Sequence, residues 1–398
     1  MSTQVNFNDI EFLCGSAKVL EAMPETPARR MFDEKTLTFF GALSKQILSD
    51  HRAKAFPDVV SYAFWIRKNS LLKERERYQD REHRLGRGIS FHIAPSNVPV
   101  NFAVSMTSAL LAGNQCIIRV SNKQFEQVDI IVDAINAVLL KECKDMTSYL
   151  CIVRYEHSEE ITQYFSSLCD IRIIWGGNRT IDQIRKASLP PRTIEMAFAD
   201  RNSLAVINSD QYLKMDAKKV AKEFYTDTYY MDQNACSSPR MVIWTGTKKE
   251  EAREQFWDTL EKMVKHDYEL KPISCVNKFN IFCMLGAKTD QIHLVSHDNY
   301  IVRVEVDKLF DGLMDYKEGA GYFFEYLTDD LEELTTLFKK SCQTLSYLGV
   351  DPETLKDLVI RQGTRGVDRI VPMGQTMELS FYWDGYDMIE NMTRYLKY

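Results

Sequence analysis

The sequence has little that would mark a metalloprotein, a membrane protein or a nucleic-acid-binding protein. Its nine cysteines include no C-x-x-C pair, and its seven histidines do not fall at zinc-ligand spacing around them, so we expect no metal site. No apolar run reaches the roughly 18 residues that a membrane span needs. The start of the chain shows no basic region followed by an apolar core, so we expect no signal peptide. The net charge of −6 gives no reason to expect nucleic acid.

The usual phosphate-binding fingerprints are missing as well. There is no G-x-G-x-x-G after a strand and no G-x-x-x-x-G-K-[ST], so a dinucleotide would need a different phosphate loop. What is present is an ordinary globular composition, 45% hydrophobic and 27% charged over 398 residues, which is long enough for two domains. The scattered cysteines are typical of reduced thiols in a cytoplasmic protein.

Apolar strand-like runs alternate with helix-like runs in the first half of the chain. This alternation predicts a parallel, doubly wound α/β sheet with helices on both faces. Such sheets bind ligands at the carboxyl ends of their strands, and the loops 95–99, 121–123 and 176–178 fall there. The predicted strands are 89–94, 116–120, 151–155, 171–175 and 204–207.

The second half of the chain reads as another α/β unit. Residues 250–265 and 329–341 have helical patterns, and residues 280–285 and 301–306 are strand candidates. Between the two halves, Cys236 lies in a short polar stretch that follows a helix-like run and precedes a strand-like run. A nucleophile needs such a place, because it must be reachable and its backbone N–H must be free to point at a substrate. The alternative, a buried cysteine that acts as a small hydrophobe, stays open on this pattern alone.

Five short motifs follow one another in an order that resembles a known superfamily. They are P-S-N-V-P after a strand, A-L-L-A-G-N-Q, a strand ending in R-V-S-N-K, W-G-G-N, and D-Q-N-A-C-S-S-P. Together they resemble the aldehyde dehydrogenase superfamily. The C-terminal G-V-D-R-I-V-P-M-G and W-D-G-Y-D are similar to its LuxC-type acyl-CoA reductases, the fatty acid reductases. The resemblance implies two α/β domains, a Rossmann-like doubly wound parallel sheet plus a catalytic α/β domain, with a helical N-terminal region.

The resemblance also implies an activity. It is the NADPH-dependent reduction of a fatty acyl-CoA or acyl thioester to the aldehyde through an acyl-Cys236 intermediate. The backbone N–H of Cys236 and the side-chain amide of Asn97 would stabilise the oxyanion. Asn97 has an alternative role as a helix N-cap, since it precedes a helix-like run. The family's relatives often work beside an acyl-protein synthetase. We therefore expect acyl-CoA or an acylated partner protein as the donor, such a synthetase as a candidate partner, and a homo-oligomer.

The expected cofactor is NADPH, with NADH as an alternative. Where the superfamily holds the adenosine ribose with a lysine and a glutamate, this chain has Arg119 and Asn122, and Lys123 adds a positive charge. Cations without a competing acid accommodate a 2′-phosphate. The alternative is a polar turn after a strand, and paired glycines are common in ordinary turns. By the resemblance, the cofactor-binding residues are Ser96, Arg119, Ser121, Asn122, Lys123, Gly176 and Gly177.

One segment departs from the family pattern. Glu195 is the candidate for the general base that activates water in oxidising members, but the glycines that follow that base are absent here. A catalytic and a structural role for Glu195 stay open. An oxidising aldehyde dehydrogenase would need it as an effective base, whereas a reductase gains if it is poorly placed for water. A second alternative is a non-reducing subunit in which Cys236 only carries acyl groups.

These patterns predict four regions of the chain. Residues 1–85 form a helical N-terminal region, and residues 86–210 form the dinucleotide-binding domain. Residues 211–365 form the catalytic domain that carries the nucleophilic cysteine. Residues 366–398 form a C-terminal segment that returns to the first domain or forms an oligomer interface.

Overall fold

The alternation of strands and helices divides between two units of the chain. The computed structural model describes residues 5–295 and 298–398. Unit 1 runs to Ala199 and takes in Leu379–Tyr398, and unit 2 is Asp200–Glu378. The functions assigned to 1–85, 86–210, 211–365 and 366–398 stay predictions.

Unit 1 is built on a six-stranded sheet in the order β1-β5-β4-β3-β6-β7. Neighbouring strands are parallel except β1, which is antiparallel to β5. The central strands are buried on both faces, as their near-continuous apolar runs require. Strand β2 is not part of this sheet. The strands of residues 5–199 are β1 (Glu11–Cys14), β2 (Arg84–Gly86), β3 (Ile89–Ile93), β4 (Gln115–Arg119), β5 (Leu150–Arg154), β6 (Ile171–Trp175) and β7 (Ile194–Phe198).

Helices cover both faces of this sheet. Cys116 and Ile118 of β4 pack into one apolar core, and Ile117 between them packs into the other. This arrangement confirms the predicted doubly wound α/β class. The helices are α1 (Ala17–Ala22), α2 (Glu34–Ser49), α3 (Pro57–Trp65), α4 (Lys68–Arg75), α5 (Asn101–Leu111), α6 (Glu126–Lys141), α7 (Glu159–Leu168) and α8 (Asn178–Ile184).

Unit 2 is built on a seven-stranded sheet in the order β10-β11-β12-β9-β8-β13-β14, in which only β10 runs antiparallel to its neighbour among the described residues. The strands are β8 (Asn202–Asn208), β9 (Pro239–Thr245), β10 (Ile292–Leu294), β11 (Val302–Val306), β12 (Tyr322–Leu327), β13 (Cys342–Leu348) and β14 (Arg369–Pro372). The helices are α9 (Ser209–Tyr212), α10 (Ala217–Asp227), α11 (Lys249–Asp267), α12 (Pro272–Gly286) and α13 (Pro352–Gln362).

The last residues of the chain pack within unit 1. Phe381 lies against Trp65 with ring centroids 4.4 Å apart, and the Tyr78 hydroxyl donates to Asp387 at 3.0 Å. The final strand pairs antiparallel with β2. These elements are β15 (Tyr382–Trp383), β16 (Tyr386–Asp387), α14 (Met388–Asn391) and β17 (Thr393–Tyr395). Among residues 5–295 and 298–398, no helix is long and apolar enough to cross a membrane.

The structure corrects the assignment of residues 204–207. They were expected to form the fifth strand of the first sheet, but β8 lies between β9 and β13 in the sheet of unit 2. The edge of the first sheet is β7 instead, where buried Met196 and Phe198 alternate with less buried residues, as in an edge strand.

Two assignments in the second half of the chain are also wrong. Residues 280–285, expected as a strand, belong to helix α12. A short apolar run does not distinguish a strand from a helix. Two features indicate a helix here: Pro272 lies in its first turn, and the buried residues Lys278 and Leu285 are two turns apart on one face. Residues 329–341, expected as a long helix, form only the 3₁₀ helix Leu331–Thr336.

A strained turn precedes β9. Asp232 and Gln233 both adopt left-handed backbone conformations, with φ of 52° and 58°. For residues other than glycine this costs on the order of 1–3 kcal/mol each, so the surroundings must hold the turn in place. The Asp232 carboxylate accepts hydrogen bonds from the Tyr268 hydroxyl at 2.8 Å and the Lys271 ammonium at 3.1 Å.

The buried side-chain amide of Gln233 holds the other half of the turn. Its Nε2 donates to the carbonyl of Pro239 at 2.9 Å and that of Tyr322 at 3.2 Å. Its Oε1 accepts from the backbone N–H of Gly321 at 3.0 Å and that of Tyr322 at 3.3 Å. One amide therefore ties the turn to the first residues of both β9 and β12.

We predict that Gln233→Met destabilises unit 2 by about 3 kcal/mol or more, because it leaves four buried backbone groups without this partner and each such loss costs roughly 1–3 kcal/mol. Hydrogen–deuterium exchange of the peptides spanning residues 228–245, with the midpoint of urea unfolding, measures the effect. Gln255→Met, on the exposed face of α11, is the matched control and should change stability by at most about 0.5 kcal/mol. Equal exchange in the two variants would contradict the prediction.

Candidate functional site

Cys236 lies half-buried in the turn between the 3₁₀ helix Tyr229–Met231 and strand β9. Its neighbours Ala235, Ser237 and Ser238 are buried. The structure thus places the predicted nucleophile on a short connection, where part of its surface reaches solvent.

Most of the other cysteines match the alternative role, that of a buried cysteine which acts as a small hydrophobe. Burial raises the thiol pKa of the six buried cysteines, so these are not nucleophiles at neutral pH. The Cys275 thiol points back to the carbonyl of Lys271 in the first turn of α12, and Cys283 is exposed on the same helix. The thiol pKa is about 12 for Cys14, Cys151, Cys169 and Cys342.

The sulfur of Cys236 is held from β13. The side-chain Nε2 of Gln343 donates to Sγ at 3.1 Å. The backbone of Cys236 is anchored from β8, because the Ser203 hydroxyl donates to its carbonyl at 2.7 Å and accepts the N–H of Thr344 at 3.2 Å. Three segments that are distant in sequence therefore fix the position of this thiol.

Two cationic side chains act electrostatically on the same sulfur. Burial lowers the pKa of the Arg240 guanidinium to about 10, and the negative charges of Glu318 and Cys236 oppose that change. Burial and the neighbouring Arg240 lower the pKa of Lys317, and Cys236 again acts in the opposite direction. By the same attraction, Arg240 and Lys317 favour the thiolate form of Cys236.

Ser96 and Asn97 lie in the exposed loop after β3 in unit 1. Helix α5 begins at Asn101 with Val100 in the N-cap position, so Asn97 does not occupy the capping position and that alternative is wrong. Its role as an oxyanion donor stays a prediction.

The turn after β4 carries the predicted ribose-binding residues. Arg119 stacks over the Tyr155 ring at 4.6 Å and donates through Nη2 to the Tyr155 carbonyl at 3.2 Å. The backbone N–H of Lys123 donates to the Ser121 hydroxyl at 3.1 Å, which closes the turn. Two buried polar atoms of this turn, Nε of Arg119 and Oδ1 of Asn122, have no hydrogen-bond partner among the described residues. A polar ligand fits such a turn, because unpaired buried polar groups are costly.

A cavity of about 590 Å³ opens beside this turn, between α7 and the end of α8. Its volume lies in the range of small-molecule and cofactor sites. Arg119 and Lys186 contribute positive charge to its wall, and Glu159 and Glu160 contribute negative charge. The residues present therefore fit the adenosine end of a nicotinamide dinucleotide.

Gly176 and Gly177 connect β6 to α8. The N–H of Gly176 donates to the Phe198 carbonyl at 3.2 Å, and a Cβ on Gly176 would come within 3.1 Å of the Thr180 side chain. The Thr180 side chain would have to give by a few tenths of an ångström to admit a side chain at Gly176. The role of Gly176 and Gly177 in cofactor binding stays a prediction.

Glu195 lies on β7 between two arginines. Its Oε2 accepts from Nε of the buried Arg172 at 2.8 Å, and its Oε1 accepts from Nε of Arg185 at 2.7 Å. Both carboxylate oxygens are engaged by guanidinium groups. These contacts favour the structural alternative for Glu195.

Sequence reasoning missed Gln343, Arg240 and Lys317. Arg240 follows the D-Q-N-A-C-S-S-P motif directly, so its charge next to a candidate nucleophile was a usable signal. Gln343 is 107 residues from Cys236 and has no local signal, because only the pairing of β13 with β8 brings it near. Among residues 5–295 and 298–398, no group of three or more His, Cys, Asp or Glu residues is arranged to hold a metal ion.

Comparison with solved structures shows the fold. An aldehyde dehydrogenase from Mycobacterium tuberculosis, solved as a complex with NAD⁺, is 13% identical and superimposes with a TM-score of 0.65 over 94% of this chain and 86% of its own. A benzaldehyde dehydrogenase from Corynebacterium glutamicum is 12% identical, with a TM-score of 0.63 over 94% and 88%. These similarities confirm the predicted aldehyde dehydrogenase-like fold.

Curated relatives share the sequence pattern. The long-chain acyl-protein thioester reductase of Photorhabdus luminescens is 22% identical over 78% of this chain and 64% of its own length. That of Aliivibrio fischeri is 28% identical over 40% of this chain and 32% of its own. The chain thus spans between about one-third and two-thirds of the length of these relatives.

A sequence model of one family covers more than half of the chain. It is the acyl-CoA reductase (LuxC) family, and the match extends over residues 26–276, which include Asn97, Arg119 and Cys236. This match confirms the resemblance that the ordered motifs predict. The chain belongs to the acyl-CoA reductase (LuxC) family.

Proposed function

We propose that this chain reduces a fatty acyl thioester to the aldehyde through an acyl intermediate on Cys236, with NADPH as the reductant. The observation that carries the proposal is the setting of Cys236. It is half-buried in a turn, with an amide donor on its sulfur and two cations acting on it, whereas six other cysteines are buried. A thiolate in an electropositive, partly exposed place is what covalent catalysis by cysteine requires.

The first half of the reaction is acyl transfer. The Cys236 thiolate attacks the carbonyl carbon of the donor thioester and forms a new carbon–sulfur bond, and the negative charge moves to the carbonyl oxygen. The backbone N–H of Cys236 and the side-chain amide of Asn97, carried over from the family resemblance, stabilise that oxyanion. Collapse breaks the original carbon–sulfur bond, and the donor thiolate leaves with the electron pair.

The second half releases the product. When held at the turn that carries Arg119 and Lys123, NADPH would supply a hydride to the acyl carbon. The same two oxyanion donors then hold the negative charge on oxygen, and collapse breaks the bond to Cys236. The aldehyde leaves, and Cys236 returns to the thiolate form that Arg240 and Lys317 favour.

The choice of NADPH rests on the turn after β4. Arg119 and Lys123 supply positive charge, and Asn122 stands where an acid would repel a 2′-phosphate. Glu159 and Glu160 in the nearby cavity wall act against this preference, since carboxylates suit a free ribose hydroxyl. NADH is therefore the alternative cofactor.

The donor is an acyl-CoA or an acylated protein. The family description names acyl-CoA, and the curated relatives are named for acyl-protein thioesters. Both donors present a thioester carbonyl to Cys236, so the chemistry is shared. An acyl-protein synthetase is the proposed partner for the protein donor, and a homo-oligomer in the cytoplasm is the proposed form of the enzyme.

Cys236→Ser should abolish both acylation and aldehyde formation, because the covalent step is lost. Intact-protein mass spectrometry after incubation with an acyl-CoA, with and without NADPH, measures both. Wild type should show an acyl adduct that disappears when NADPH is added. Cys283→Ser, at an exposed thiol on α12, is the control and should behave as wild type. An adduct that persists with NADPH would instead indicate a subunit that only carries acyl groups.

Asn97→Ala should lower kcat by roughly 10²–10³, the usual loss for one oxyanion donor. Single-turnover acylation and steady-state aldehyde formation would both slow. Thermal unfolding of the same variant, measured alongside, separates a loss of catalysis from a loss of stability. Unchanged turnover in this variant would remove Asn97 from the mechanism.

Wild type should use NADPH with a higher kcat/KM than NADH. Asn122→Glu should erase or reverse that preference through repulsion of the 2′-phosphate. Lys123→Ala should weaken NADPH more than NADH, and the difference should shrink as salt screens the contact. Lys141→Ala, an exposed lysine at the end of α6, is the control for net charge. Equal use of both cofactors in wild type and both variants would show that this turn does not select the phosphate.

A further inference from the structure

Gln343 faces Cys236 with the donor end of its side-chain amide. The Thr344 hydroxyl donates to Oε1 of Gln343 at 3.2 Å, and Nε2 of the same amide faces the sulfur at 3.1 Å. An amide nitrogen only donates hydrogen bonds. The sulfur is therefore the acceptor, and a thiolate is a far stronger acceptor than a neutral thiol.

The position of the donor is not adjustable. Gln343 is 1% exposed and is the second residue of β13, and Thr344 beside it is fully buried. The Ser203 hydroxyl links the Cys236 carbonyl to the Thr344 N–H, so the turn and the strand are anchored to each other. A donor held in place before the reaction needs no reorganisation when charge develops on the sulfur.

We propose that Gln343 is a catalytic residue whose side-chain N–H stabilises the Cys236 thiolate, both before it attacks the acyl donor and when it leaves the acyl carbon. This inference rests on the proposed function, because it assigns the group that prepares the nucleophile. In both steps the amide keeps its proton, and the electron pair moves between sulfur and carbon. Arg240 and Lys317 supply the longer-range part of the same stabilisation.

The proposal predicts a particular pH dependence. Losing one hydrogen bond to a charged group should raise the midpoint of thiolate formation by about one pH unit, which is a tenfold loss of thiolate below that midpoint. A more basic thiolate is also about threefold more nucleophilic for each such unit. A variant without the donor should thus react about threefold more slowly than wild type at low pH and about threefold faster at high pH.

The test is the rate of alkylation by iodoacetamide from about pH 5 to about pH 10, followed by mass spectrometry on the peptide that carries Cys236. Gln343→Met keeps the length of the side chain and removes the donor, so its profile should cross that of wild type. Gln343→Glu places a carboxylate beside the sulfur and should move the midpoint further up. Ser346→Ala, another buried polar position on β13, is the control and should match wild type.

Coincident pH profiles for wild type and Gln343→Met would overturn the proposal. An alkylation rate that changes by the same factor at every pH would also overturn it, because such a change reports the access of iodoacetamide to Cys236 and not the stability of the thiolate. A wild-type midpoint at or above about 8.5, that of an ordinary cysteine, would overturn it without any variant. The assay needs no acyl donor and no NADPH. A failure of the proposed function would appear as missing aldehyde with the crossing profiles intact.

Discussion

The side-chain amide of Gln233 is the constraint on which the candidate site depends. Two consecutive left-handed residues other than glycine would open if the backbone were free, since each costs on the order of 1–3 kcal/mol. Four hydrogen bonds from one buried amide hold them, and they join the starts of β9 and β12. Cys236 lies three residues further on. Its half-buried position is therefore set by an interaction that makes no contact with a reacting atom.

The candidate groups of unit 1 lie at the carboxyl ends of its parallel strands, whereas those of unit 2 lie at the amino ends of its own strands. In unit 1 the turns of interest follow β3, β4 and β6, as expected for an open α/β sheet. In unit 2 the nucleophile precedes β9, and the groups that hold it, Ser203 and Gln343, are the second residues of β8 and β13. Neighbouring parallel strands begin at one edge of a sheet, so three distant segments meet there without any long connection.

Much of unit 1 follows from local sequence, because its strands are uninterrupted apolar runs and its helices have clear periodicity. The same reasoning failed where the spacing of apolar residues does not distinguish a helix from a strand. Residues 280–285 are apolar on several sides and fit a helix or a strand equally, and only the proline at position 272 and the buried Lys278 decide. The motif order located Cys236 and the turn at Arg119. It could not locate Gln343, whose place depends on the pairing of two strands far apart in the chain.

The direction of the proposed reaction depends on what happens to an acyl group on Cys236. Hydrolysis would need a base with a lone pair free to take a proton from water. The candidate base, Glu195, has both oxygens engaged by the guanidinium groups of Arg172 and Arg185. Those charge-assisted bonds hold the carboxylate against the two arginines. Under the proposed function, a Glu195 that is occupied in this way would not serve as the base for hydrolysis, and an acyl group on Cys236 would be left to the reductant.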